Sequence, residues 1–284
     1  MAQDKYTAVW VSHSSIGDFL TCPRLYYLNN IYKDPKSGRK MNLINPALAL
    51  GSAVHNTIEP LAKVPAEKRL EQPVEEKFET EWEKISGING GFTSEEEEEE
   101  YRNRGEEMVQ RVIANPGPIV NKALRLPEGH NKMPPNFYLS EEDNIILCGK
   151  VDWIEYLEKT DGIHSLDFKT GRREEKEDSL QLPIYLLLAT NCQSRRVEKV
   201  SYWYLDRDQE PTEQKLPSYS QAQEKVLEAA RQVKQAREDK AFTCPRGGEG
   251  CFACRPYERL LAGEGKFIGV SETNQDIYVL PDRS

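Results

Sequence analysis

The sequence predicts an α/β fold, a mixed β-sheet covered by helices, and three features carry that expectation. From about residue 137 the chain holds short runs rich in β-branched and aromatic residues, a composition that favours strands. Helical stretches interrupt those runs, so strand, helix and strand alternate, the order of a sheet with helices on its faces. The segment YSQAQEKVLEAARQVKQARED, 219–239, places Val226, Leu227, Ala230 and Val233 on one face of an amphipathic helix.

Ser15-Ile-Gly-Asp18 predicts a helix start, with Ser15 as cap and Asp18 near the positive end of the helix dipole. The following FLTCPRLYYLNNIY sets Phe19, Leu25, Tyr26 and Ile31 at roughly helical spacing, with Pro23 at a helix start or a kink. Gly51-Ser-Ala-Val-His55 opens a second helical stretch. Residues 56–135 read as acidic, polar helices broken by Pro116, Gly117, Pro118, Pro134 and Pro135, a helical insertion within one domain spanning 1–284. Inside it, Glu95 to Glu100 reads as a solvated loop or helix start, or as a DNA-mimicking or partner-docking surface. NIILCGKVDWIEYL and GIHSLDFKTG then read as adjacent strands joined by the turn EKTDG. DSLQLPIYLLLATN reads as a helix and VEKVSYWYLDRD as a further strand. On that strand Tyr202, Trp203 and Tyr204 are expected mainly in the core.

An apolar content of 38% is enough for a core, while 30% charged residues and a mean hydropathy of -0.71 imply a very polar surface. No apolar run approaches bilayer length, and the N-terminal residues lack the basic start and apolar stretch of a secretory signal. A soluble, intracellular, cytoplasmic protein is expected. The net charge of -9 argues against wholesale coating of nucleic acid but not against a local basic contact. Six cysteines are few for a disulfide scaffold. Three of them, Cys244, Cys251 and Cys254, crowd one short C-terminal segment.

Asp167-Phe-Lys169 falls at a strand end, where positions i and i+2 project from the same face. Asp152 lies fifteen positions earlier, on the preceding strand, and a hairpin of that length sets it beside Asp167. Two carboxylates so placed repel each other unless a divalent cation lies between them, and hard oxygen donors suit Mg²⁺ or Mn²⁺. Alone, the D-x-K triplet also fits an exposed ion pair, His55 a buried and satisfied histidine, and Tyr185 plain core packing.

Read in order, Gly51-x-x-x-His55, Gly149-Lys-Val-Asp152, Asp167-Phe-Lys169-Thr-Gly171 and Gln181-x-x-x-Tyr185 resemble the RecB and AddB type of PD-(D/E)XK nuclease domain, including the CRISPR-associated Cas-four exonucleases. The likeness covers roughly 12–55, 145–206 and 243–257. It implies a restriction-endonuclease-like core and a Mg²⁺- or Mn²⁺-dependent DNA nuclease. The implied activity is exonucleolytic on single-stranded ends or overhangs, in CRISPR adaptation, DNA repair or recombination, with integrase or helicase proteins as partners. A catalytically inactive module of the same fold, binding nucleic acid or a partner, is the alternative.

By that resemblance His55 binds or positions a metal, Asp152 and Asp167 are its carboxylate ligands, and the Phe168 carbonyl completes the sphere. Lys169 is the catalytic lysine, and Gln181 and Tyr185, on one helical face, brace it and touch the DNA backbone. The resemblance also pairs Cys22 with the C-terminal trio, over 243–257, to hold a [4Fe-4S] cluster or a Zn²⁺ ion. The C-terminal spacing departs from the family's usual order, since the six-residue gap precedes the C-x-x-C pair. Cys148 and Cys192 read as incidental thiols. Arg24, Arg172, Arg173, Lys176, Arg195 and Arg196 read equally as phosphate contacts or solvated surface.

Overall fold

The computed structural model describes residues 5, 7–129, 133–248 and 250–281. Residues 1–4 and 6 of the segment read for a leader, and both extremes of the 1–284 domain, lie outside these residues. In chain order the elements are β1 (Val9–Val11), α1 (His13–Thr21), α2 (Pro23–Tyr26), β2 (Met41–Leu43), α3 (Pro46–Ile58), α4 (Val74–Glu83), α5 (Glu95–Ala114) and β3 (Ala123–Leu124). There follow β4 (Asn136–Ser140), β5 (Ile145–Cys148), β6 (Trp153–Leu157), β7 (Gly162–Lys169), α6 (Gln181–Cys192), β8 (Val197–Tyr204) and β9 (Thr212–Gln214). The chain ends with α7 (Tyr219–Glu238), α8 (Arg255–Leu261), β10 (Lys266–Val270) and β11 (Asp276–Val279).

The central sheet has the order β3-β6-β7-β8-β9. Strands β7 and β8 run parallel and are joined through α6, while every other pairing in that sheet is antiparallel. Alternation along the strands sends Trp153, Leu166, Phe168 and Trp203 into a core shared with α3, α4 and α5. The residues between them, Ile154, Ile163, Val200 and Tyr202, enter a second core with α6 and α7. Both faces are therefore dry, which is why β7 and β8 are apolar almost throughout. Tyr202, Trp203 and Tyr204 are all buried, as core residues on alternate faces. The segment 56–135 is more than an appendage, because α4 and α5 pack on α3 and β3 joins the sheet edge.

Two local expectations are corrected. Ser15 does not cap α1; Ser12 does, with the extended backbone that a cap requires, and Ser15 closes a capping box from the third helical position. The run 144–157 is not one strand but two, and they lie in different sheets, with β5 between β1 and β4. Asp152 therefore sits in the bend just before β6 rather than on a strand. The break begins at Gly149, where an added Cβ would stand 3.1 Å from Leu188 of α6. Pro23 opens α2 at its first position, where its missing N–H is harmless. Glu95 to Glu100 forms the first turns of α5, capped by Ser94, as acidic residues at a helix N-terminus should. The small sheet β10-β11-β2 was not anticipated. Among the described residues no helix is long and apolar enough to cross a membrane.

Candidate active site

The C-terminal end of β7 and the bend before β6 meet the start of α6 and the last turns of α3. Asp167 and Lys169 both project toward α6, as their i, i+2 spacing requires. The Tyr185 hydroxyl donates to Asp152 Oδ1 at 3.0 Å and to Asp167 Oδ1 at 2.8 Å, so one phenol bridges the two carboxylates. Gln181, one turn earlier on α6, donates its amide N–H to Asp167 Oδ1 and accepts a hydrogen bond from the Lys169 ammonium. Lys169 also lies 2.9 Å from Asp167 Oδ2 and 2.9 Å from Glu175 Oε2. The Phe168 backbone N–H donates to Asp152 Oδ2 at 3.0 Å, and its ring is buried between Trp153 and Trp203.

His55 reaches this cluster from the opposite helical layer. Gly51 allows the approach, since a Cβ there would lie 3.3 Å from the Thr170 hydroxyl. His55 Nδ1 stands 3.6 Å from Asp152 Oδ2 and 2.8 Å from Glu59 Oε1. One ligand atom each from His55, Glu59 and Asp152 falls within 4.8 Å of the others, the spacing of a shared cation. Asp167 is outside that trio, with Oδ1 taken by Tyr185 and Gln181. Its Oδ2 is buried and makes no hydrogen bond, being approached only by the Lys169 charge.

The electrostatics agree with a cation-seeking site. Burial and the Asp167 carboxylate push the Asp152 carboxyl up to about 7. Burial opposes charge on His55, but the Glu59 hydrogen bond and the Asp152 carboxylate hold its pKa up at about 9. Burial also works against the Lys169 ammonium, and Asp167 with Glu175 overcomes it and raises the pKa. Burial, with both aspartates, raises Tyr185 well above the ordinary phenol, which keeps its proton on the bridge. The carboxylate oxygens of Asp152, Asp167 and Glu59 are the hard donors that Mg²⁺ and Mn²⁺ accept. The residues present fit such an ion.

Three participants escaped the sequence reading. Glu59 follows His55 by four positions, a spacing that on a helix puts both on one face. Glu175 pairs with Lys169 from a loop, and nothing local marks it. His13, at the first position of α1, lies where burial and the Lys169 charge lower its pKa while Glu175 and Asp167 oppose that shift. Beside the trio a cleft of about 380 Å³ is lined by Lys63, Arg125 and Lys150 together with Glu59, Glu128 and Asp152.

The cysteines form a second cluster, in which Cys22, Cys244, Cys251 and Cys254 offer sulfurs within 4.8 Å of one another. Cys22, Cys251 and Cys254 are buried, and Gly250 at φ +75 leaves no room for a Cβ against the Cys254 sulfur. Burial opposes ionisation of Cys251, yet the backbone N–H groups of Cys254 and Ala253 hold its thiol down at about 6. Cys148 and Cys192 lie apart from the four.

The sequence profile of the PD-(D/E)XK nuclease superfamily matches residues 10–258. The chain belongs to that superfamily. The match spans both the carboxylate-lysine site and all four clustered cysteines. No curated protein matches the chain at a significant level. Within this superfamily member the basic residues divide by location. Arg172 approaches Glu100 at 3.3 Å on the rim of the site, and Arg173 and Lys176 are in the same loop. Arg24 instead pairs with Glu258 at 2.5 Å beside the cysteines. Arg195 and Arg196 sit at the beginning of β8, the opposite end of the sheet from Lys169, because β7 and β8 are parallel. They pair with Asp161 and Glu198.

Proposed function

We propose that this nuclease-superfamily chain is a Mg²⁺- or Mn²⁺-dependent deoxyribonuclease that trims single-stranded DNA from its ends. The observation that carries the reading is the convergence of Asp152, Asp167 and Lys169 on one Tyr185–Gln181 bridge, with His55 and Glu59 alongside. His55, Asp152 and Asp167, with Glu59 and the Phe168 carbonyl near, would hold the ion. When bound, it would neutralise charge on the scissile phosphate and lower the pKa of a water. Lys169, kept cationic by Asp167 and Glu175, stabilises the charge that builds on the phosphate and orients the nucleophile rather than removing its proton. Gln181 fixes the Lys169 ammonium, and Tyr185 fixes the spacing of the two aspartates. The basic residues of the cleft, Lys63, Arg125 and Lys150, hold the backbone phosphates of the incoming strand.

Cys22, Cys244, Cys251 and Cys254 are read as ligands of a [4Fe-4S] cluster, with Zn²⁺ as the other occupant their four thiolates suit. The family resemblance supports a setting in CRISPR adaptation, repair or recombination, beside an integrase or a helicase.

The decisive test follows 5′- and 3′-labelled single strands with Mn²⁺ present. Wild type should shorten them from one end, and Asp167→Ala should leave them intact. Unchanged, metal-dependent cutting by Asp167→Ala would sink the assignment.

A further inference from the structure

A second concave site lies at the far end of α3 from His55, against the cysteine loop. It encloses about 460 Å³, and its walls include Ile44, Pro46, Tyr101, Phe252, Arg255 and Arg259. Phe252 stands between Cys251 and Cys254 and is 77% exposed, the most exposed large apolar residue among those described. With Ile44, Pro46 and Tyr101 it forms a partly open apolar surface, on a loop fixed by buried neighbours on both sides. The lining contains no carboxylate, in a chain with 47 acidic residues against 38 basic ones. Arg259 leans on Glu264 at 2.6 Å, while Arg255 has no carboxylate partner among the described residues and reaches only the Gly250 carbonyl, at 3.5 Å.

Exposed aromatic surface beside guanidinium groups is the chemistry that takes a nucleotide, its base stacked and its phosphate paired. The outer ridge of α3 lies between the two ends of that helix, of which Pro46 and Ala47 line this pocket and His55 and Asn56 line the catalytic cleft. Its exposed residues, Leu48, Ser52 and Asn56, carry no charge, and Asn56 lines the cleft beside His55. From Pro46 to His55 the helix rises about 14 Å, at 1.5 Å per residue. A strand that reaches both sites must cover at least that rise, about four nucleotides at 3.4 Å each.

We infer that the Phe252–Arg255 pocket is a second single-strand binding site, which stacks a base four or more nucleotides from the scissile phosphate. The choice of nucleic acid as ligand rests on the nuclease reading. The cysteine cluster then has a second task, because it fixes the loop that presents Phe252. Duplex DNA is not the ligand of this pocket, since its bases are already stacked on one another.

The test is fluorescence anisotropy with labelled oligothymidylate of four and sixteen nucleotides, in buffer without added divalent ion so that no strand is cut. Wild type should bind the sixteen-mer at least about tenfold more tightly than the four-mer. Phe252→Ala should lose most of that gain, and Phe252→Trp should keep it. Arg255→Ala should lower the slope of log affinity against log salt by about 0.7, one phosphate contact on a single strand. Equal affinity of wild type and Phe252→Ala for the sixteen-mer overturns the proposal. So does equal loss in Phe252→Ala and Phe252→Trp, which would mark a change in the loop rather than a lost stacking surface. Binding with this pattern by a protein that cuts nothing in Mn²⁺ upholds the pocket and removes the nuclease reading instead.

Discussion

Asp152 and Asp167 share one phenolic proton donor, and burial with mutual repulsion raises the Asp152 carboxyl to about 7. An ion bound there relieves the repulsion, so each added donor should show in metal affinity. Glu59→Gln is expected to weaken Mn²⁺ binding by about 10- to 100-fold, read by calorimetry. An affinity equal to wild type would remove Glu59 from the site. Tyr185→Phe deletes the bridge without deleting a carboxylate and should reduce kcat by about tenfold or more, with Asp167→Asn losing about a hundredfold or more in the same assay. The pairs Asp167–Lys169 and Gln181–Tyr185 were legible in sequence, because strand and helix periods dictate which of them share a face. Asp152, in a bend, was marked only by the resemblance. Glu175 was not marked at all, since a loop residue has no period and its partner Lys169 is six positions away.

At the scale of elements, the opposite face of the same sheet carries a buried polar row. His164 Nδ1 shares a hydrogen bond with Glu155 at 2.8 Å, and its Nε2 shares one with Ser201 at 2.7 Å, spanning β6, β7 and β8. Burial alone would raise the Glu155 carboxyl, but His164 and Asn121 hold it below the usual carboxylate range. A depressed acid contributes stability that is present above its unfolded pKa and lost as pH falls through the folded value. Glu155→Gln should therefore cost about 2 kcal/mol at pH 7, with the deficit shrinking below about pH 4, in urea titrations at both pH values. Arg69 performs a related service for the helical layer. It is 2% exposed, lies over Trp153 and donates to the carbonyls of Leu61, Val64, Ile119 and Asn121. Arg69→Ala strands those carbonyls and should cost about 3 kcal/mol or more by the same measurement. Neither network was visible in sequence, since both depend on which strands are neighbours. The split of 144–157 into two sheets was hidden for the same reason. Its pattern continues through the bend, and only the approach of α6 to Gly149 ends β5.

For the whole molecule, the cysteines join segments at opposite ends of the sequence, helped by the Arg24–Glu258 ion pair and the Tyr257–Asn29 hydrogen bond at 3.0 Å. A metal held across so long a loop binds only the folded chain, and its binding energy becomes folding energy. If the four sulfurs are ligands as proposed, Cys22→Ser should lower the iron or zinc content of the purified protein and its Tm by several degrees. Retention of both would show that the four sulfurs are only neighbours. The sequence showed which cysteines meet, because the resemblance pairs them. It did not show that β10 and β11 continue past them to bind β2, since a five-residue and a four-residue strand leave little periodic trace.

The tie between Cys22 and the C-terminal trio also bears on how the protein comes into being. Cys22 leaves the ribosome about 220 residues before Cys244, an interval on the order of ten to forty seconds at ordinary elongation rates. Throughout that wait the first helices lack their anchor, and a truncated product never acquires one. If a metal completes that tie, chains made without it would keep loosened ends, open to proteolysis. Were the four sulfurs to hold a metal, the abundance of the protein would then follow the supply of that metal.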